Sequence, residues 1–65
     1  MSYERTTSKQ NGRIELIFKL MEYDNLTDWE DDFVASVDSY FEERGSLTIT
    51  QYEKLEEVFK RAAGR

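Results

Sequence analysis

The stretch LTDWEDDFVASVDSYFEERGSLTITQYEKLEEVF, residues 26–59, decides the fold of this 65-residue chain, because one opening pattern occurs in it twice. In each copy a Leu-Thr pair precedes a Glu or Gln that lies three residues after the threonine, which is the pattern of a capping box. The threonine hydroxyl accepts a hydrogen bond from the third helical N–H, and the later side chain accepts one from the threonine N–H. We therefore predict two helices, which begin directly after Thr27 and Thr48.

The first of these helices is predicted over residues 28–44. An aromatic-rich stripe runs along it at spacings of three and four residues and is predicted to face the core; its members are Trp29, Phe33, Val37, Tyr40 and Phe41. Gly45 suits the left-handed position that follows a helix, and Arg44 places positive charge at the negative end of the helix dipole. The helix is therefore expected to end at Arg44.

The second helix is predicted over residues 49–63. Tyr52, Leu55, Phe59 and Ala62 recur at helical spacing, and Leu47 and Tyr52 are placed as a hydrophobic staple. The connection between the two helices is only a few residues long, so they must run antiparallel. The pair is predicted to form a helical hairpin.

Residues 12–24 are compatible with two structures. Ile14, Ile17, Phe18 and Met21 form a helical stripe, whereas Ile14, Leu16, Phe18 and Leu20 alternate as in a strand that follows an Asn-Gly turn. Ile17 breaks the alternation, which favours a helix near residues 13–23. We predict an all-α fold: a small three-helix bundle built on an antiparallel helical hairpin, with a flexible lead-in over residues 1–12 and a single helical domain over 13–65.

The composition excludes most catalytic and metal chemistry. The chain contains no Cys and no His, and its three glycines are isolated, so thiolate and imidazole catalysis and glycine-rich phosphate loops are absent. Residues 24–32 resemble a calcium loop only superficially, because Leu26 and Trp29 stand at two of its required positions. We expect no enzyme activity, no cofactor and no metal. The polar N-terminus and the short apolar runs predict a cytoplasmic protein that makes no membrane contact.

Charge is unevenly distributed along the chain. From Leu20 to Glu43 there are nine acidic and no basic residues, while both ends are net positive. The central block repels nucleic-acid phosphates and favours basic partners. On a helix Asp31, Asp38 and Glu42 fall near one side, at roughly 5–11 Å spacing, comparable with phosphates on a strand. The predicted partner-binding residues are Glu22, Tyr23, Asp24, Asp28, Asp31, Asp38, Glu42 and Glu43.

Residues 26–61 resemble a small helical module of bacteriophage proteins. The matching residues are Leu26, Thr27, Trp29, Glu30, Phe33, Val34, Ser36, Leu47, Thr48, Gln51, Leu55 and Glu56. This module is associated with phage DNA replication and recombination proteins. The resemblance implies a phage or prophage origin, a bacterial host and a role near nucleic-acid enzymes, and it implies no activity.

Three functions remain open on these grounds. The first is a non-enzymatic binding protein that docks on a nucleic-acid-processing protein. It would use the acidic side of the 28–44 helix and exposed side chains of the helix predicted near residues 13–23. The second is an acidic DNA-mimic inhibitor of the anti-CRISPR, anti-restriction or RNA polymerase inhibitor kind. The third, direct nucleic-acid binding, is less favoured and would use the basic ends, namely Arg5, Lys9, Arg13, Lys60, Arg61 and Arg65. The helix predicted near residues 13–23 also carries spare apolar surface, through which two copies of the chain could form a homodimer.

Overall fold

A computed structural model describes residues 4–64 of the chain, which fold into three α-helices. They are α1 (Ser8–Leu20), α2 (Asp28–Arg44) and α3 (Ile49–Ala63), with a single turn of 3-10 helix at Tyr23–Asn25 between the first two. The predicted all-α three-helix bundle is confirmed. Both predicted helices of the hairpin have the expected bounds, and residues 12–24 belong to a helix and a turn, with no strand.

Each helix begins at a complete capping box. The two predicted boxes, Thr27 with Glu30 and Thr48 with Gln51, are both present. A third joins Thr7 to Gln10, where the backbone N–H of Gln10 donates to the threonine hydroxyl at 3.3 Å. The pattern Thr-x-x-Gln occurs at residues 7–10 as it does at 48–51. Helix α1 therefore starts at Ser8, and the predicted start near residue 13 is wrong.

The segment before α1 is held against the turn between α2 and α3, so the predicted flexible lead-in is not what residues 4–12 form. The backbone N–H of Thr6 donates to the carbonyl of Leu47 at 2.9 Å, and the N–H of Leu47 donates to the Thr6 hydroxyl at 3.0 Å. The N–H of Ile49 also donates to the carbonyl of Glu4 at 3.2 Å. Residues 1–3 of the predicted lead-in lie outside the described part of the chain.

The buried core is built from aliphatic side chains. Its members are Ile14, Ile17, Met21, Val34, Val37, Leu47, Leu55, Val58 and Ala62. Aromatic side chains pack around this core and are only partly buried, among them Phe18, Phe33, Phe41 and Phe59. Small and branched side chains at the centre let the helices approach closely, and the larger rings cover the seams between them.

The predicted core position of Trp29 is wrong, because its side chain is 57% exposed. The buried line of α2 runs through Glu30, Val34 and Val37. That line shares Val37 with the predicted stripe but is centred about 55° farther around the helix axis. Phe33 consequently lies at the edge of the core.

Glu30 faces the core because it completes the cap of α2. It is 2% exposed, its carboxylate accepts the N–H of Thr27 at 3.0 Å, and the Arg61 guanidinium lies 3.9 Å away on α3. A buried carboxylate is costly unless it is hydrogen-bonded and paired with a cation. The positive end of the α2 dipole adds to that compensation.

The caps allow a stability prediction. Replacing Thr7, Thr27 or Thr48 singly by Ala should lower the free energy of unfolding by about 0.5–2 kcal/mol each, because a helix N–H loses its acceptor. Urea denaturation followed by circular dichroism measures this change. Thr50→Ala is the matched control, since Thr50 is exposed in the first turn of α3 and should change stability by less than about 0.5 kcal/mol. Equal effects at Thr7 and Thr50 would contradict the capping role.

Replacement of Gly45 and of Gly12 by alanine should change the free energy of unfolding in opposite directions. Gly45 has a φ of 75°, whereas Gly12 lies inside α1, and an added Cβ meets nothing within 4 Å at either position. Gly45→Ala should therefore cost about 1–2 kcal/mol of unfolding free energy through backbone conformation alone. Gly12→Ala should add about 0.5–1 kcal/mol, because alanine favours the helix. The same denaturation experiment compares them, and a stabilising Gly45→Ala would exclude the left-handed turn.

Candidate protein-binding surface

The predicted acidic residues of α2 lie mainly on its outer side. Asp31, Asp38 and Glu42 follow one another at seven and four residues and share one flank, which we call the acidic flank. Asp31 and Glu42 are exposed, and Asp38 is half-buried. The carboxylates are therefore spread along about 16 Å of helix.

Tyr23 lies next to the acidic flank. Its side chain is 48% exposed, and its hydroxyl donates to the carbonyl of Phe18 at 3.2 Å. Burial raises the pKa of Tyr23 above its ordinary value of 10.0, and the negative charges of Asp38 and Asp31 raise it further. The fold thus brings Tyr23, Asp31 and Asp38 into one neighbourhood.

The remaining predicted residues are more dispersed. Glu22 and Asp24 are exposed in the connection that precedes α2, and Asp28 is exposed in the first turn of this helix. Glu43 is exposed near the other end of α2, about 22 Å along the helix from Asp28. It also points about 100° away from Glu42 around the axis. The structure therefore does not gather all predicted acids at one point.

Helix α1 carries apolar side chains on its outer face. Leu16 and Leu20 are 44% and 53% exposed, one turn apart, while Ile14 and Ile17 are fully buried. Spare apolar surface on this helix was predicted and is confirmed. Tyr23, a predicted partner-binding residue, follows Leu20 by three residues, so these two residues are within about 10 Å of chain from each other.

Several basic side chains are engaged within the fold. Arg13 forms an ion pair with Glu56 at 3.0 Å, and Arg61 lies beside the buried Glu30. Arg5 donates to the Ser46 hydroxyl at 2.8 Å and to the Tyr40 hydroxyl at 3.1 Å. These residues were candidates for direct nucleic-acid binding, and their internal contacts reduce the charge available for it. Arg65, another candidate, lies outside the described residues.

Trp29 is a surface residue that the sequence reasoning placed in the core. Its indole stacks on the Phe33 ring, with centroids 5.5 Å apart and the two planes 5° from parallel. The signal that could have identified it was a second helical line through Glu30, Val34, Val37 and Phe41, which competes with the aromatic stripe. An exposed tryptophan is a recurrent feature of protein-binding surfaces.

Residues 4–64 contain neither a candidate metal site nor a candidate membrane span. This part of the chain has no group of three or more acidic residues placed to hold a metal ion. None of its helices combines the length and apolar character needed to cross a bilayer. The surface of residues 4–64 presents carboxylates, exposed rings and leucine side chains beside basic side chains such as Lys19 and Lys54.

The pKa of Tyr23 provides a direct test of this neighbourhood. Asp38→Asn should lower that pKa toward 10.0, since it removes one of the raising charges, while burial keeps it above the ordinary value. Because the folded pKa is the higher one, the stability linked to Tyr23 is complete below about pH 10 and is lost as pH rises through the folded pKa.

An NMR titration of isotope-labelled tyrosine rings measures the pKa of Tyr23 in both proteins. Glu53→Gln is the control, because Glu53 is an exposed acid on α3 and should leave Tyr23 unchanged. Equal shifts in the two variants would mean that Asp38 does not face Tyr23.

Comparison with known proteins does not place the chain in a family. No family model matches the chain, and neither a curated protein nor a solved structure resembles it significantly. The arrangement of charge and apolar surface is therefore the basis for a functional proposal.

Proposed function

We propose that this chain is a non-enzymatic binding protein that docks on the basic surface of a nucleic-acid-processing protein. The observation that carries the proposal is the meeting of Tyr23 with Asp31 and Asp38, three residues along the chain from the exposed Leu20 of α1. Tyrosine and leucine supply apolar contact area, while the carboxylates complement positive charge and orient the encounter. The phage module resembled by residues 26–61 supports the same class of partner.

The surface has the dimensions of an ordinary protein interface. Leu16 and Leu20 are about 6 Å apart along α1, and the acidic flank extends about 16 Å along α2. A standard interface covers roughly 800 Å² on each partner, which exceeds the extent of either group alone. The 3-10 turn with Tyr23 connects the two helices and lies between these groups in the chain.

A DNA-mimic inhibitor is the second candidate, because Asp31, Asp38 and Glu42 follow one another along α2 at about 10 and 6 Å, distances comparable with phosphates on a strand. In that case the carboxylates carry nearly all of the interaction and the leucines contribute little. Affinity for the partner would fall steeply as salt concentration rises. A contact that also uses Leu16 and Leu20 would be less sensitive to salt.

Matched variants separate these two functions. The immobilised chain is used to capture proteins from a bacterial lysate, and the captured protein is then purified and its affinity measured by calorimetry. Joint replacement of Asp31 and Asp38 by Asn and Glu42 by Gln should weaken binding at least about tenfold. The control variant replaces Glu15, Glu53 and Glu57 by Gln, which removes the same charge from exposed positions on α1 and α3.

A second variant changes Leu16 and Leu20 to Ser. Loss of affinity in both the acidic and the leucine variants is the expected result. Loss in the acidic variant alone, with a steep salt dependence, would favour the DNA mimic. If the acidic variant behaved like its charge-matched control, the acidic flank would have no role in binding. Sedimentation equilibrium of the leucine variant tests the predicted homodimer through α1 at the same time.

A further inference from the structure

Trp29 forms a prepared aromatic surface at the start of α2. One face of its indole is covered by Phe33, with the rings nearly parallel, yet the residue remains 57% exposed. The exposed area therefore belongs mostly to the opposite ring face and the edges. Stacking on a side chain one helical turn away restricts the rotamers of the indole, so little entropy is lost when a ligand covers it.

The surroundings of this ring are negatively charged. Asp28 precedes Trp29 in the chain and Asp32 lies one turn farther along α2, and both are exposed. The face of an indole attracts cations through its quadrupole, and tryptophan does so more strongly than phenylalanine or tyrosine. Carboxylates beside the ring add a second attraction for the same charge.

Other aromatic rings of this chain already hold a cation. Arg5 and Arg44 lie over the Tyr40 ring at 5.5 and 5.1 Å, and Arg13 lies over the Phe59 ring at 5.8 Å. Within residues 4–64 no comparable cation lies over Trp29. The most exposed ring, with the strongest preference for a cation and acids beside it, is thus left uncovered by the described part of the chain.

We propose that Trp29, Asp28 and Asp32 bind an arginine side chain of a partner protein. A guanidinium is planar, stacks on the indole face and can pair with a carboxylate at its edge, which a lysine ammonium does less well. Around the axis of α2, Asp28 and Asp32 lie about 60° and 100° from Asp31, and Trp29 lies about 160° from it, so the site is centred on a different side of the helix from the acidic flank. The inference therefore stands independently of the proposed docking through that flank.

The single tryptophan of the chain makes the site directly observable. The full-length protein is titrated with a peptide of alternating arginine and glycine, and the Trp29 emission is followed. A saturable change is expected with this peptide. A peptide with citrulline in place of arginine should give none, because citrulline is nearly isosteric but uncharged.

Variants are compared by NMR amide shifts, which do not require tryptophan. Trp29→Leu should weaken peptide binding about two- to fivefold, and Trp29→Phe should recover part of that loss. Joint Asp28→Asn and Asp32→Asn should weaken binding more than joint Asp31→Asn and Asp38→Asn, which removes equal charge from the acidic flank. Circular dichroism verifies that each variant is folded, which is expected because Trp29 is a surface residue.

Three results would overturn the proposal. Equal weakening by the two aspartate pairs would mean that the peptide responds only to net charge. Unchanged affinity in folded Trp29→Leu would remove the indole from the site. A saturable emission change with the citrulline peptide would mean that the site does not recognise the charge of the guanidinium.

Discussion

The capped helix start is the interaction on which this structure depends. The core contains nine buried side chains of small or medium size, and the chain has no cysteine or histidine with which to cross-link itself. A chain of this length buries little of its surface, so local interactions must set the ends of each helix. Three threonines perform this role in the same way, each with a Glu or Gln three residues later. The left-handed Gly45 then returns the chain so that α3 can pack against α2.

Capping also explains the position of the aromatic residues. Glu30 must turn back toward Thr27 to complete the box, and this places its side chain against the core, next to Arg61. Val34 and Val37 continue that buried line, while Trp29 and Phe33 are rotated toward the edge. Rings at the edges then associate with arginines, as at Tyr40 and Phe59. Basic residues that would suit nucleic acid are thereby used to close the seams of the bundle.

The outer surface consequently carries two different kinds of negative region. The acidic flank of α2 lies beside Tyr23, which follows the exposed Leu20 of α1 by three residues. The start of α2 combines carboxylates with an open indole. Both regions suit positively charged protein surfaces, but they differ in chemistry: one offers a row of charge with apolar neighbours, and the other offers a single stacked ring.

The sequence by itself determined the helical class, the bounds of α2 and α3 and the turn at Gly45, because caps and left-handed glycines act over a few neighbouring residues. It also determined the acidic character of the outer face of α2. Only the tertiary structure decided which side of α2 faces inward, since two helical lines of similar hydrophobicity compete and the neighbouring helices select between them. The attachment of residues 4–7 to the α2–α3 turn was decided in the same way, because those hydrogen bonds join residues more than forty positions apart. Exposure of Trp29 follows from that choice of side.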